Sequence, residues 1–253
     1  MTANVPPALP QTCCPSVWLW PGQALYAGPS LNLAPHSGSV WCLAVGIDGP
    51  LTVATKHGAT RAAHSVLIPP RLSHQLTCHG AGLVSCYLEP TSDRADASRH
   101  KFGEWHGEVG VGHVDEERLQ FTPADDESAS HWLDLAAPAA HRRIDPRVAA
   151  AARRIREDPA VTISSRELAV EAGLSESRFL HLFRDELGTS LRRYRLWVRL
   201  TNAGTAIAAG DNLTTAAMKA GFASPSHLAD RFKTTFGLSA SQLLGTGLTL
   251  RTS

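Results

Sequence analysis

Leu168–Ser190 reads LAVEAGLSESRFLHLFRDELGTS, and Thr215–Ser239 reads TAAMKAGFASPSHLADRFKTTFGLS. The two stretches share one frame. In each, a short helical run ends at Ala-Gly, at Ala172-Gly173 and at Ala220-Gly221, and a second helix begins near a Ser. That helix carries an inward-facing Phe (Phe183, Phe232) and stops at Gly188 or Gly237. A helix, a tight glycine turn and a second helix make a helix-turn-helix, whose second helix enters the major groove of DNA. A generic helical bundle would not repeat the turn, the Phe spacing and the Gly stop together. The duplication predicts a DNA reader with two heads.

The residues each head presents follow from periodicity. In Glu176 to Leu187, Phe179, Leu182 and Phe183 have the i, i+3, i+4 spacing of a buried face, which leaves Ser177, Arg178, His181 and Arg184 outside. Arg178 can donate a bidentate pair to guanine O6 and N7, while Ser177 and His181 suit base edges or phosphates. Glu176 suits the helix dipole or a cytosine N4 donor. In Pro225 to Phe236, Leu228, Phe232 and Phe236 face inwards. Ser226, His227, Asp230, Arg231 and Lys233 are the outward candidates, with Lys233 best suited to phosphate. For any one of these residues an ordinary solvated helix face is the competing explanation, since only three or four side chains per helix reach bases.

Further helix signals surround the repeat. Asp145-Pro146 suits N-cap and N1 of a helix running to Arg156, and Ser164 with Glu167 forms a capping box. Ser175 can cap the next helix. Ser190 to Ala209 is a long helix with Leu191, Tyr194, Val198 and Ile207 buried and Gly210 as its stop. Thr214 is the expected cap of the following helix. Ser224-Pro225 and Ser239 with Gln242 mark two more starts. Residues 144–245 therefore read as a domain of about seven helices without strands, and 246–253 as a tail.

The net charge of +1 hides an asymmetry. Residues 1–143 hold 9 Lys and Arg against 13 Asp and Glu, whereas residues 144–253 hold 15 against 10. The basic share belongs to the half that carries the repeat, as phosphate binding requires. A length of 253 residues suggests two domains, and 43% hydrophobic content is enough for real cores. No apolar run approaches the length of a membrane span, and no signal peptide is visible. The five cysteines (Cys13, Cys14, Cys42, Cys78, Cys86) are odd in number and form no CxxC, which argues against a disulfide framework or zinc finger and for a reduced cytoplasmic setting.

Upstream, residues 1–15 read as a Pro-rich flexible arm. Residues 16–90 show short apolar runs divided by turns. Val40 to Ile47 is nearly continuous and closes at Asp48-Gly49-Pro50, Leu51, Val53 and Thr55 alternate with polar or small neighbours, and Val66-Leu67-Ile68 runs into Pro69-Pro70. Gln75 to His79 and Leu83 to Leu88 follow. This pattern suggests a small β-barrel or sandwich. Residues 91–143 are acidic, with possible helices at 95–104 and 128–137, and are expected to hold a dimerisation helix and a linker.

Residues 150–245 resemble the DNA-binding domain of the AraC/XylS family of bacterial transcription regulators. The resemblance is carried by the two quoted stretches, by Tyr194, Arg199-Leu200 and Ala203 between them, and by the closing GFASPSHLADRFKTTFGLSASQL. It implies two recognition helices in successive major grooves on one DNA face. By position, Ser177, Arg178 and His181 fall where the family's first recognition helix touches DNA, and Pro225, Ser226 and Asp230 where the second does. Asp230 departs from the pattern, standing where the family often has Arg, and the Arg is next door at Arg231. The second head therefore either reads cytosine through Asp230 or binds more weakly than the first.

More loosely, LAPHSGSVWCLAVGIDGPLTV (33–53) and VLIPPRLSHQL (66–76) resemble the cupin-like sensor domain that often precedes such DNA-binding domains. The resemblance implies an α+β chain of two domains, an N-terminal cupin-like β-barrel with helices and a C-terminal all-α tandem helix-turn-helix domain. Metal-binding cupins carry a His-x-His-x3,4-Glu cluster and a later His. Only His36 and His74 match, so no metal, cofactor or enzymatic activity is expected.

The expected function is thus sequence-specific, regulated binding of double-stranded DNA by a homodimer whose barrel takes a small-molecule effector. Tyr26, His36, Trp41 and His74 are the candidates for the barrel lining, against the alternative that such residues are simply core. A second hypothesis keeps the DNA output but makes the input a metal or oxidant, sensed by Cys42, Cys78 and Cys86 with His36, His64, His74 or His79. Cys78 and His79 are adjacent and would point to opposite faces of a strand, which counts against it.

Overall fold

The computed structural model describes residues 15–31, 33–139 and 143–252, so the expected arm lies almost wholly outside the described residues, as do Cys13 and Cys14. The N-terminal domain begins with eight strands: β1 Ser16–Trp20, β2 Gln23–Pro29, β3 Trp41–Ile47, β4 Leu51–Thr55, β5 Gly58–Ala59, β6 Ser65–Ile68, β7 His74–Cys78 and β8 Gly82–Leu88. Helix α1 (Asp93–Arg99), a hairpin of β9 (Phe102–His106) and β10 (Val109–His113), and helices α2 (Glu116–Leu119) and α3 (Asp126–Ala136) complete it. The helical domain follows as α4 Pro146–Glu157, α5 Ser165–Glu171, α6 Glu176–Leu187, α7 Leu191–Ala208, α8 Leu213–Lys219, α9 Pro225–Phe236 and α10 Ala240–Leu244. A last strand, β11 (Thr249–Thr252), ends the described chain.

Eight strands form one sheet in the order β11-β1-β2-β8-β3-β6-β10-β9, and β5-β4-β7 form a second. The expected barrel is not closed. The β9–β10 hairpin extends one edge of the large sheet and β11 the other, so its two ends never meet. The long apolar run in β3 has a physical reason. Leu43 and Val45 face a core with Trp132 and Leu133 of α3, while Cys42 and Ala44 face a core with Leu51 and Val53 of the small sheet. A strand buried on both faces loses the polar alternation of a half-exposed one.

Two expectations about the ends of elements change. Residues 249–252, read as tail, pair in parallel with Ser16–Leu19 of β1, so a segment following the second helix-turn-helix lies on the large sheet. The expected helix at 95–104 is only α1, and the chain then enters β9. The signal for that hairpin is Gly107, φ +61°, the first residue of a two-residue loop between His106 and Val109. Helix α3, in the segment expected to hold a dimerisation helix and a linker, packs Ala129, Trp132, Leu133 and Ala136 in the core with the large sheet.

Six of the seven helices of the second domain start where expected. Asp145, Ser164, Ser175, Ser190, Ser224 and Ser239 each accept a first-turn backbone N–H, with capping boxes at Ser164/Glu167 and Ser239/Gln242. One cap is corrected: α8 starts before Thr214, and Asn212 caps it by accepting Thr215 N–H at 2.9 Å. Helix α7 joins the two units. Tyr194, Trp197 and Val198 pack with Phe179 and Phe183, whereas Leu200 and Ala203 pack with Ala217, Phe222 and Leu228. Ile207, expected in the core, is half-buried.

Candidate nucleic-acid interface

The two heads are built alike. Gly173 (φ +65°) and Gly221 (φ +77°) make the turns, and Gly188 (φ +62°) and Gly237 (φ +77°) end α6 and α9 in the left-handed conformation. Phe179 and Phe183 are fully buried, which fixes the rotation of α6 and turns Ser177, Arg178, His181 and Arg184 to solvent. Glu176 accepts a hydrogen bond from the Ser165 hydroxyl on one of its two carboxylate oxygens. On α9, Ser226, Asp230 and Lys233 are exposed, and Pro225, His227 and Arg231 are half-buried. Arg231 Nε lies 3.6 Å from Asp230 Oδ2, so the neighbouring residues partly neutralise each other.

Between the heads lies a basic cleft of about 730 Å³. Leu180 of α6 and His227 and Arg231 of α9 form its sides, and Arg192, Arg193, Arg195 and Arg199 of α7 line it. Sequence reading missed these arginines, because a helix joining two motifs gives no cue that one side of it opens between them. The spacing 192, 195, 199 is the signal that was present. Arg195 donates to Ile163 O, and Arg199 donates to Pro159 O and Thr162 Oγ1, both at 3.0 Å. Burial, then the like charge of Arg71 and Arg192, lowers the Arg193 pKa below its ordinary value, and burial followed by Arg199 does the same to Arg195. Guanidinium groups remain charged under such shifts, so the cleft is strongly positive.

The N-terminal domain reaches this cleft. Arg193 Nη1 donates to Ser37 Oγ at 3.1 Å and to Gly38 O at 3.3 Å. Ala34 N–H donates to Gly237 O at 2.9 Å and Ser37 N–H to Thr234 O at 3.4 Å. The β2–β3 loop thus sits on the C-terminal end of α9. A second join is electrostatic: Glu89, 1% exposed at the end of β8, accepts from Tyr194 Oη at 2.7 Å and from Arg156 Nη1 at 2.8 Å.

The four expected effector residues do not share a site. His36 and His74 meet through reciprocal backbone hydrogen bonds of 2.9 Å, with ring centroids 4.4 Å apart. Each Nδ1 faces a carbonyl, Ala34 O at 2.9 Å and Leu72 O at 3.0 Å, so each Nδ1 carries the proton. Burial, then the charge of His36, draws the His74 pKa down to about 4, and burial lowers that of His36. Trp41 lies elsewhere, with the Arg99 guanidinium 5.2 Å from its ring centroid. Only Tyr26 lines a cavity of suitable character. That cavity, about 130 Å³, lies between β1, β2 and β8 on one side and α7, α9 and α10 on the other. Its walls include Leu25, Tyr87, Trp197, Phe232 and Phe236.

The alternative input chemistry finds no support. Among the described residues no three His, Cys, Asp or Glu side chains are placed to hold a metal ion. Cys42 and Cys86 are buried in different cores, and burial pushes the Cys42 thiol up to about 12 and the Cys86 thiol higher still, against formation of a reactive thiolate. No helix among the described residues is long and apolar enough to cross a membrane.

No curated protein sequence matches the chain. The family described as Helix-turn-helix domain matches residues 168–245. Among solved structures, apo ToxT from Vibrio cholerae, a point variant, superposes with a TM-score of 0.60 at 11% identity, covering 89% of this chain and 98% of that one. Wild-type Vibrio cholerae ToxT bound to an unsaturated fatty acid gives 0.56 at 10% identity, covering 88% and 94%. Vibrio cholerae ToxT bound to (E)-4-(8-methylnaphthalen-1-yl)but-3-enoic acid gives 0.55 at 12% identity, covering 88% and 98%. At such identities the likeness is one of fold, and it spans both domains. Residues 168–245 match a helix-turn-helix domain, and the chain as a whole, sheet domain included, shares its fold with ToxT.

Proposed function

We propose that this protein is a sequence-specific DNA-binding transcription regulator in which a small apolar molecule, held between the sheet and the second head, controls how the two heads meet DNA. The observation that carries the reading is the pair of identically framed heads on one helix, with exposed polar faces flanking an arginine-lined cleft. Ser177, Arg178 and His181 read bases from α6, with Arg184 beside them. Pro225, Ser226 and Asp230 do so from α9, with Arg231 and Lys233 at the backbone. The cleft arginines meet the phosphates that run between the two grooves.

Control follows from where the cavity lies. Pockets for small molecules usually measure about 300–1,000 Å³, so a ligand entering 130 Å³ must spread the walls. Spreading moves α9 against the sheet and disturbs the hydrogen bonds that the β2–β3 loop makes to Thr234 and Gly237. A ligand that binds the spread arrangement better shifts the population toward it. The two ToxT complexes show that this fold accommodates small organic acids in those proteins, which supports a small-molecule input here.

The test of the DNA reading is Arg178→Ala on a selected operator. Affinity should fall by about tenfold or more and base preference should relax at particular positions. A variant with unchanged affinity and unchanged preference would remove α6 from the groove.

A further inference from the structure

A further cavity, of about 370 Å³, opens between the turn joining β1 to β2, the end of β8, and helices α4 and α7. Its volume falls within the usual range for small-molecule sites. Trp20, Pro21 and Val198 give it apolar walls, and Glu89, Arg156 and Asn202 supply charge and an amide.

The two charged groups are used on one side only. Glu89 is 1% exposed, and its Oε1 accepts from Tyr194 Oη at 2.7 Å, from Arg156 Nη1 at 2.8 Å and from Thr91 Oγ1. No described residue donates to its other oxygen, Oε2, which lies on the Gly22 side, 3.6 Å from where a Cβ on Gly22 would stand. Gly22 and Glu89 both line the cavity, and Glu89 N–H donates to Gly22 O at 2.9 Å, which holds the carboxylate there. Every hydrogen bond of Arg156 runs from Nη1, to Glu89, Thr91 and Tyr194. Its Nε and Nη2 have no acceptor among the described residues, nor does the half-buried Asn202 amide have a partner there.

A carboxylate this buried is stable only when its oxygens meet donors. An ammonium group supplies them at Oε2. A bare amine would also meet the guanidinium of Arg156 and be repelled, and a bare carboxylate would be repelled by Glu89. The Glu89 and Arg156 charges touch, so a ligand that satisfies both carries its ammonium and its carboxylate on neighbouring atoms. The Asn202 amide can donate to the one and accept from the other.

We propose that this cavity binds an α-amino acid with a small apolar side chain, its ammonium on Glu89 Oε2, its carboxylate on Arg156 and Asn202, and its side chain against Trp20 and Val198. Glu89 belongs to the sheet domain and Arg156 and Asn202 to the helical one, so the bound molecule bridges the two. The site is independent of the apolar cavity and of the reading of that cavity as the effector site.

The test titrates the full chain by NMR at pH 7 with L-valine, with isobutylamine and 3-methylbutanoate, which are valine without one charged group, and with 4-aminobutanoate, whose charges are set apart. Valine should bind at least about tenfold more tightly than each of the others, the contribution of a charge-assisted hydrogen bond. Glu89→Gln should remove the advantage of valine over 3-methylbutanoate, and Arg156→Gln its advantage over isobutylamine. Should these variants fail to fold, the wild-type resonances decide. The Asn202 side-chain amide and the Trp20 ring should move with valine and hold still with 4-aminobutanoate at the same concentration. The proposal is overturned if any of the other probes matches valine, if those resonances ignore bound valine, or if valine does not bind.

Discussion

His36 and His74 were read from the sequence as effector or metal residues, and the fold gives them a different task. They pin the β2–β3 loop to β7 with neutral, buried rings. Unfolded, both rings protonate with a pKa near 6.5, whereas folded His74 does so only near 4. Between those values the unfolded chain binds more protons, so stability is full above about pH 6.5 and falls as pH drops toward 4. The loss should reach about 1.4 kcal/mol per pH unit for each fully shifted ring. Denaturant melts between pH 7 and 4.5 should show a flatter dependence for His74→Asn, whose amide can still donate to Leu72 O. An identical slope in that variant would place the acid sensitivity elsewhere. The sequence offered two histidines, but their pairing comes from a register that brings residues 38 positions apart into one bridge.

At the scale of elements, the two heads look interchangeable in sequence and differ in surroundings. A Cβ at Gly188 would meet nothing within 4 Å, whereas one at Gly237 would come within 2.5 Å of Ala34 O and 2.7 Å of His36 Nδ1. Both glycines hold positive φ, which costs an alanine about 1–2 kcal/mol. Gly188→Ala should therefore destabilise by about that amount, and Gly237→Ala by at least about twice as much. Thermal melts of the two variants compare them directly, and equal losses would mean that the loop yields freely. The repeat, its turns and nearly all its caps were legible because they depend on local φ and on side chains three residues apart. The cap at Asn212 was misplaced by two positions because Thr214 is an equally good cap in isolation.

Across the whole molecule, three joins tie the large sheet to the helical domain: the β2–β3 loop on α9, Glu89 with Arg156 and Tyr194, and β11 on β1. The third is reinforced by Arg251, whose guanidinium lies 5.9 Å from the Trp18 ring centroid and 3.6 Å from Asp126 Oδ1. Ending the chain after Gly247 removes the parallel partner of Ser16–Leu19. Amide hydrogen exchange in that strand should then accelerate by about tenfold or more, while α4–α6 keep their protection. Unchanged protection in β1 would show that β11 adds nothing to the sheet edge.

By itself the sequence determined the tandem heads, the exposed side of each second helix, most boundaries of the C-terminal helices and the strand-rich character of the first half. Each of these follows from periodicity and turn chemistry, which act over a few residues. The tertiary structure decided that the sheet stays open, that Tyr26 of the four candidates lines the cavity between sheet and helices, and that Arg192, Arg195 and Arg199 face a cleft between the heads. It also buried Trp197 of α7 among Phe179, Phe183 and Tyr87. Such features arise where elements distant in the chain meet, and no local pattern records which partners they will find.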